Sequence, residues 1–325
     1  MHYVIYGAGG IGATIGARLH QLGEQVTLIA RGAHKEALQK DGLTFVSPDG
    51  VVTLKIPTIG HPGELTPADD LFVMLCMKSQ HTEEGLRALA EHQSASLAIA
   101  CVQNGVGNER LALRYFEHVY ATVVNLPALH LRPGEVVTHA AGVGGILDTG
   151  CYPGGVDERA EIVTAALTQA GFSAMPDAQV MRQKYAKLLM NLGNVVQAGI
   201  SDKENVDEIL RGMRNEALAC YAAAGIDCAT RDEVRGRRES GYRMADIPGY
   251  PRGGGSSWQS IERGTGDIET EYLNGEISLL GRLHNVPTPY NDAGVQMARV
   301  LIREGSADKK GPGIFSVTDF KALMN

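Results

Sequence analysis

The sequence predicts an α/β protein, with an N-terminal Rossmann-type doubly wound sheet followed by an all-α C-terminal domain. Three observations carry this. Short apolar runs alternate with helical periodicity through the first half. A cluster of glycines follows the first of those runs at once. After about Pro176 no strand-like run remains, and helical patterns fill the rest.

The opening elements set the class. Tyr3 to Tyr6 reads as a strand and leads into Gly7-Ala8-Gly9-Gly10-Ile11-Gly12. A helical pattern (Ile15, Leu19, Leu22) and a second strand, Val26 to Ala30, follow. Three glycines at this spacing arise by chance about 0.6 times in a chain with 40 glycines among 325 residues, so the surrounding order decides. That order is strand, glycine turn, helix, strand, the start of a dinucleotide-binding fold. Gly7 serves the tight turn, Gly9 the approach of a pyrophosphate, and Gly12 the close packing of helix on strand. Ala8, Gly10 and Ile11 complete the loop, and the helix N-terminus turns free N–H groups and its positive dipole end towards the phosphates.

The second strand ends Ile29-Ala30-Arg31. Sites for NAD place Asp or Glu there to accept hydrogen bonds from ribose hydroxyls, and Glu24 comes too early for that. A guanidinium can clamp a phosphate in bidentate fashion, so NADP(H) is expected over NAD(H). The alternative for Arg31 is a solvated loop cation.

A helix near Ala33–Lys40 and a β-ribbon, Leu43–Val46 with Val51–Ile56, come next. Leu71–Cys76, Leu97–Val102 and Val119–Val124 read as buried parallel strands. Between the first two lies a helix, Ser79–His92, with Ser79 as its N-cap and Glu83 and Glu84 in its first turns. Glu135–His139 and Gly144–Leu147 read as short strands finishing the sheet on an antiparallel edge, and Asp157–Ala170 as a helix. Residues 1–177 are therefore expected to form the nucleotide-binding domain and 178–325 a helical substrate domain. In the latter, Ala178–Val196, Asn205–Ala224, Thr230–Arg237, Gly266–His284 and Pro289–Arg303 read as helices. The glycine- and proline-rich stretch from Pro248 to Ser256 is a lid or a connector, with nothing to separate the two.

Composition excludes several classes. The length favours two domains, and 44% apolar residues fill their cores. A net charge of −7 argues against a nucleic-acid partner. The five cysteines are scattered and form no CxxC pair, so a reducing, cytoplasmic compartment is expected. The ten histidines show no ligand spacing, so no metal site is expected. The apolar start lacks a preceding basic region and does not read as a signal peptide, and no stretch approaches the length of a membrane span.

Ligands of such sheets bind at the carboxyl ends of the strands. Lys78 follows Leu71–Cys76, and Asn104 follows Leu97–Val102 in the run Gln103-Asn104-Gly105-Val106-Gly107. An ammonium there can pair with phosphate, and an amide can bond nicotinamide, ribose or substrate. The plainer readings are a solvated cation and an Asn-Gly turn. In the helical half, Lys187 and Asn191 stand four residues apart on one face of an apolar helix. Lys187 either snorkels to solvent or does chemistry. Glu269 opens the run Glu269-Thr-Glu271-Tyr-Leu-Asn274, which by its composition alone reads best as a solvated acidic face beside a packed one.

Taken together, GAGGIG at 7–12, Arg31, MKSQ at 77–80, QNGVG at 103–107, KYAKLLMN at 184–191, GSSWQS at 255–260 and IETEYLNGEI at 268–277 resemble the ketopantoate reductase family over essentially the whole chain. The resemblance implies an NADPH-dependent reduction of a small 2-oxo acid to the 2-hydroxy acid, with ketopantoate as first choice, in pantothenate biosynthesis. It makes Lys187 the general acid and Glu269 its orienting partner and a contact to substrate or nicotinamide ribose. It makes Asn191 and Ser257 substrate contacts, and Asn104 a contact to nicotinamide and substrate. Arg31 and Lys78 would hold the 2′-phosphate. The chain departs from the family pattern at Val195, at Ser260 where an aspartate is common, and at Gly254 where an asparagine is common. All three fall on the substrate side. Helical second domains of such folds can pair, which leaves a homodimer as one possible assembly. Other readings are a paralogue acting on a different 2-oxo or 3-hydroxy acid, and an NADP(H)-binding redox sensor without turnover.

Overall fold

The computed structural model describes residues 1–201, 206–239, 241–262, 264, 268–308 and 313–324, with 304–308 described by backbone alone. The chain forms two compact units. The first comprises Met1–Gln103, Gly107–Lys184 and Thr230–Arg252; the second comprises Asn104–Val106, Tyr185–Ala229 and Gly253–Asn325.

In chain order the first unit begins β1 (His2–Tyr6), α1 (Gly10–Leu22), β2 (Gln25–Ile29), α2 (Gly32–Lys40), β3 (Leu43–Ser47), β4 (Gly50–Leu54) and β5 (Thr58–Ile59). It continues with β6 (Leu71–Leu75), α3 (Thr82–Ala90), β7 (Ala98–Cys101), α4 (Asn108–Ala112), β8 (His118–Thr122), β9 (Ala128–Leu129), β10 (Glu135–Thr138), β11 (Ala140–Ala141), β12 (Thr149–Cys151) and α5 (Glu158–Gln169). The main sheet runs β12-β8-β7-β6-β1-β2-β5, parallel throughout except for β12. Its strand order reverses beside β1, which pairs with β2 on one side and β6 on the other. His2 lies opposite both Gln25 and Leu71, so Tyr6, Ile29 and Leu75 end flush.

The sheet is apolar on both faces because both are covered. Tyr3, Ile5, Phe72 and Met74 pack with Ile15 and Leu19 of α1 and Leu167 of α5. The alternate residues Val4, Tyr6, Val73 and Leu75 pack with Leu86 and Leu89 of α3. A period of two on a doubly covered sheet gives solid apolar runs.

The edge differs from the expectation. β12, not the segment at 144–147, forms the antiparallel edge, and Ile146 makes only isolated bridges. β10 joins a second sheet, β4-β3-β10-β9. The helix expected to start at Ser79 begins with a 3-10 turn, Ser79–His81, and the buried Ser79 hydroxyl accepts from the Asn108 side-chain amide at 3.1 Å, while His81 stands at the N-cap of α3.

The segment 230–252, expected within the helical domain, clusters with the first unit. It holds α9 (Arg231–Glu239) and a short strand, β13 (Arg243–Met244), that pairs with β11. β13 therefore lies beyond Pro176, where no strand was expected. Arg237 of α9 donates to both carboxylate oxygens of Asp148 at 2.6 Å, and Ile247 and Tyr250 pack against Val46, Leu129 and Val137. These contacts hold the segment there.

The helix expected over Ala178–Val196 is broken. α6 (Val180–Asn191) ends at the residue singled out from the sequence, and α7 (Asn194–Gly199) starts after Gly193. The Leu192 carbonyl accepts from the Asn274 side chain at 3.2 Å. A Cβ on Gly193 would lie 2.9 Å from Leu210. The second unit then holds α8 (Asp207–Ala224), α10 (Ser256–Glu262), α11 (Thr270–His284), α12 (Pro289–Asp308) and α13 (Val317–Ala322). Ile209, Met213, Ile277, Met297 and Leu301 form part of its core. Among its described residues the regular elements are all helices. The expected starts of two helices at Asn205 and Gly266 lie outside the described residues. The sequence reading missed α10, which carries Ser257.

Candidate active site

The glycine loop lies at the flush carboxyl ends of β1, β2 and β6. Gly7 turns with φ +101°, and a Cβ there would sit 2.5 Å from the Met77 nitrogen. Only glycine fits that turn without strain. At Gly12 a Cβ would overlap the Gly7 carbonyl oxygen and approach Ile5 at 2.8 Å and Cys76 at 2.9 Å. α1 can therefore start directly above the strand. Beside Gly9, by contrast, a Cβ would meet nothing within 4 Å. Gly9 is the N-cap of α1 and makes no side-chain cap. Open space next to an uncapped helix N-terminus suits a diphosphate. Ala8 is buried, while Gly10 and Ile11 are half-buried in the first turn of α1.

Arg31 follows β2 as the N-cap of α2 and is exposed, 3.4 Å from Glu84. An exposed pair at that distance holds weakly, so the guanidinium is available to an incoming anion. Lys78 follows β6, half-buried, with interactions of its own. Arg31 and Lys78 thus leave the two strands that flank β1.

One side chain of this region was missed. His34, on α2, bonds the Ala8 carbonyl through Nε2 at 2.7 Å, and its Nδ1 accepts the Gly134 N–H at 2.9 Å. That pattern fixes the neutral tautomer with the proton on Nε2. Burial, and then His130 with its ring 4.2 Å away, draw the His34 pKa down to about 4. Nothing in the spacing of the histidines signals this contact, because Gly134 lies 100 residues on.

The second group lies in the second unit. Lys187 and Asn191 share one face of α6, with Lys187 half-buried and Asn191 7% exposed. The Asn191 Nδ2 is buried with no hydrogen-bond partner. A buried unpaired donor costs about 1–3 kcal/mol, so it marks a place for an acceptor brought from outside. Glu269 is the N-cap residue of α11 and is buried. Asn104 precedes Gly105, whose φ is +83° and whose Cβ would lie 3.2 Å from the Tyr272 carbonyl. The Asn104–Val106 turn therefore rests on the first turn of α11, close in sequence to Glu269. Ser257 is buried on α10, whose preceding residue Gly255 donates its N–H to Gln197 of α7 at 3.1 Å.

The two lysines of the 184–191 run separate cleanly. Lys184 is buried, paired with Glu109 at 2.5 Å and donating to the Gln103 carbonyl at 2.9 Å. It is a structural cation of the first unit.

The three positions at which the chain departs from the pattern expected of the family are each packed into their own surroundings. Val195 is 1% exposed, inside the helical core. Ser260 donates to the Ser256 carbonyl at 3.1 Å, closing α10 on itself. A Cβ at Gly254 would lie 2.5 Å from the Trp258 ring. The indole occupies the space that a side chain at 254 would need.

A parallel sheet with a glycine loop at its reversal point, followed in the chain by a helical unit, is the architecture of a dinucleotide-binding protein of two units. Comparison with known proteins gives the family. The profile described as Ketopantoate reductase PanE/ApbA matches residues 3–154, and the one described as Ketopantoate reductase PanE/ApbA C terminal matches residues 179–301. A 2-dehydropantoate 2-reductase from Pyrococcus horikoshii is 32% identical over 301 residues, 90% of this chain and 94% of that one. One from Halobacterium salinarum is 27% identical over 94% of this chain and all of the other. A ketopantoate reductase structure from Ralstonia eutropha superposes with a TM-score of 0.78 at 26% identity, covering 94% of this chain and 99% of that one. D-mandelate dehydrogenase with NADH and anilino(oxo)acetate superposes with a TM-score of 0.77 at 20% identity over 94% and 99%, a likeness of fold alone. The chain belongs to the ketopantoate reductase family and is an oxidoreductase of the kind that acts on CH–OH groups.

Proposed function

We propose that the protein reduces a small 2-oxo acid to its 2-hydroxy acid with NADPH, ketopantoate to (R)-pantoate being the first choice, in pantothenate biosynthesis in the cytoplasm. The observation that carries the reading is the buried, unpartnered Asn191 Nδ2, one turn beyond Lys187 on the same helix face. It asks for an oxygen acceptor beside an ammonium group, and a 2-oxo acid offers one. The first unit, most of 1–177 together with 230–252, would supply the cofactor side, and the second unit, which holds most of the rest of 178–325 and takes in Asn104, the catalytic side.

A bound reduced nicotinamide supplies the hydride. Lys187 gives a proton to the ketone oxygen as the carbon becomes tetrahedral, and its charge stabilises the growing alkoxide. Glu269 orients the Lys187 ammonium and the substrate hydroxyl or nicotinamide ribose. Asn191, Ser257 and Asn104 hold the substrate. Gly7 to Gly12 receive the diphosphate, and Arg31 with Lys78 the 2′-phosphate.

Oxidation of NADPH at 340 nm with a panel of 2-oxo acids tests this. Lys187→Ala should lower kcat at least 100-fold, about 2.7 kcal/mol of barrier, with NADPH affinity little changed. Equal turnover sinks the assignment. Arg31→Ala should lower the preference for NADPH over NADH by about tenfold, roughly 1.4 kcal/mol. An unchanged ratio refutes the phosphate clamp, and a wild-type preference for NADH would move the cofactor assignment.

A further inference from the structure

The helical unit contains a chain of polar groups, buried at Asn274 and Asn291 and half-buried at Glu216, to which the proposed reaction assigns no ligand contact. Glu216 on α8 receives three bonds at the start of α12. These come from the Tyr290 N–H at 2.8 Å, the Asn291 N–H at 3.0 Å and the Asn291 Nδ2 at 2.7 Å. Asn291, fully buried, also donates from Nδ2 to the Met213 carbonyl at 3.0 Å. Both protons of that amide are thereby committed. Its Oδ1 must face the other way, and there it accepts from the Asn274 Nδ2 at 3.1 Å. The orientation of one amide thus dictates that of the next. The Asn274 Nδ2 also donates to the Leu192 carbonyl at 3.2 Å.

Leu192 is the residue after Asn191, at the break between α6 and α7. A carbonyl released at a helix end needs a partner when buried. Asn274 supplies it from the second turn of α11, five residues beyond Glu269. The same buried amide therefore ties the end of the helix carrying Lys187 and Asn191 to the helix that Glu269 opens.

We propose that Asn274, oriented by Asn291 and Glu216, is a positioning residue: its bond to the Leu192 carbonyl fixes where α6 ends and so aims Lys187 and Asn191 with respect to Glu269. Its effect on turnover rests on the reductase reading; its effect on the helix break does not. A side chain one ångström out of place costs catalysis far more than it costs folding.

Asn274→Asp keeps the shape and removes both donors, setting an acceptor against the Leu192 and Asn291 oxygens. Asn274→Ala removes the group altogether. Hydrogen–deuterium exchange of the full-length protein, read over 187–199, measures the clamp. Both variants should lose protection there while the sheet of the first unit exchanges as before. kcat for the best 2-oxo acid should fall at least tenfold in both, with the Kd for NADPH within twofold of wild type. For Asn274→Asp, the kcat ratio to wild type should rise as pH falls from 8 to 5.5, because a protonated carboxyl regains one donor; for Asn274→Ala it should stay flat. Unchanged protection overturns the proposal. Lost protection with unchanged kcat also overturns it, leaving Asn274 purely structural. Lys187→Ala, run alongside, separates the two claims. If it turns over like wild type, the reductase reading fails and the exchange data still decide the clamp.

Discussion

Between Tyr6 and Gly12 the backbone shapes the proposed cofactor side, whereas from Lys187 to Glu269 side chains borne on separate helices make up the proposed catalytic side. The glycine loop needs no side chain to receive an anion: it needs a left-handed turn at Gly7, close packing at Gly12 and empty space at Gly9. The proposed catalytic side uses a lysine and an asparagine on α6, a glutamate at the head of α11 and a serine on α10. The two solutions carry different costs. A backbone site is shaped before any ligand arrives, since its geometry is the geometry of the fold. A side-chain site holds polar groups in reserve, and the unpaired Asn191 Nδ2 shows this cost within the folded protein.

Substitution at Gly7 breaks the comparison most severely. Gly7→Ala forces a Cβ to within 2.5 Å of the Met77 backbone at a φ of +101°. The loop must move, and NADPH affinity should fall by at least about 100-fold, roughly 2.7 kcal/mol. Thermal stability should also drop, since strain and overpacking each cost about 1–3 kcal/mol. Fluorescence titration with NADPH and a melting curve check both. Retained affinity would mean that the loop does not carry the diphosphate.

Asn191→Ala should do the opposite to stability. The deleted donor has no partner in the protein, so the melting temperature should hold or rise, by up to about 1 kcal/mol of stability. KM for the 2-oxo acid should nevertheless rise about tenfold or more, because the substrate oxygen loses its hydrogen-bond donor. A variant that is both less stable and kinetically normal would show that Asn191 is an ordinary core residue.

The same contrast explains what could be read from the chain. A backbone site leaves a local signature, since every residue from Tyr3 to Arg31 lies in one strand–helix–strand unit and each glycine reports its own constraint. The sheet was legible for a related reason: apolar faces on both sides give solid runs, as in Leu71–Leu75. The side-chain site was legible only through resemblance. By composition alone Glu269 reads as part of a solvated acidic face, yet it is buried at 7% exposure. Asn274 was visible in the sequence, but its partners lie 17 and 82 residues away. Pairings at such separations have no periodicity to betray them. The break after Asn191 was hidden for the same reason, because the carbonyl that ends α6 is taken by a distant amide. The return of 230–252 to the first unit likewise depends on Arg237 and Asp148, 89 residues apart.

His34 tests the limits of the contrast, because on the backbone side it is a side chain that holds the loop. Its imidazole must be neutral to accept from Gly134 while donating to Ala8. With its folded pKa near 4, below the usual 6.5, the unfolded chain takes up the proton first as pH falls. The contribution of His34 to stability is therefore complete above about pH 6.5 and is lost between there and about 4. His34→Gln keeps an amide donor within reach of the Ala8 carbonyl and does not titrate. Its melting temperature should fall less steeply than that of wild type between pH 6.5 and 4.5, and NADPH affinity should show the same difference in slope. Parallel curves would mean that the ring titrates alike in the folded and unfolded states. The cofactor side would then owe its geometry to the glycines alone.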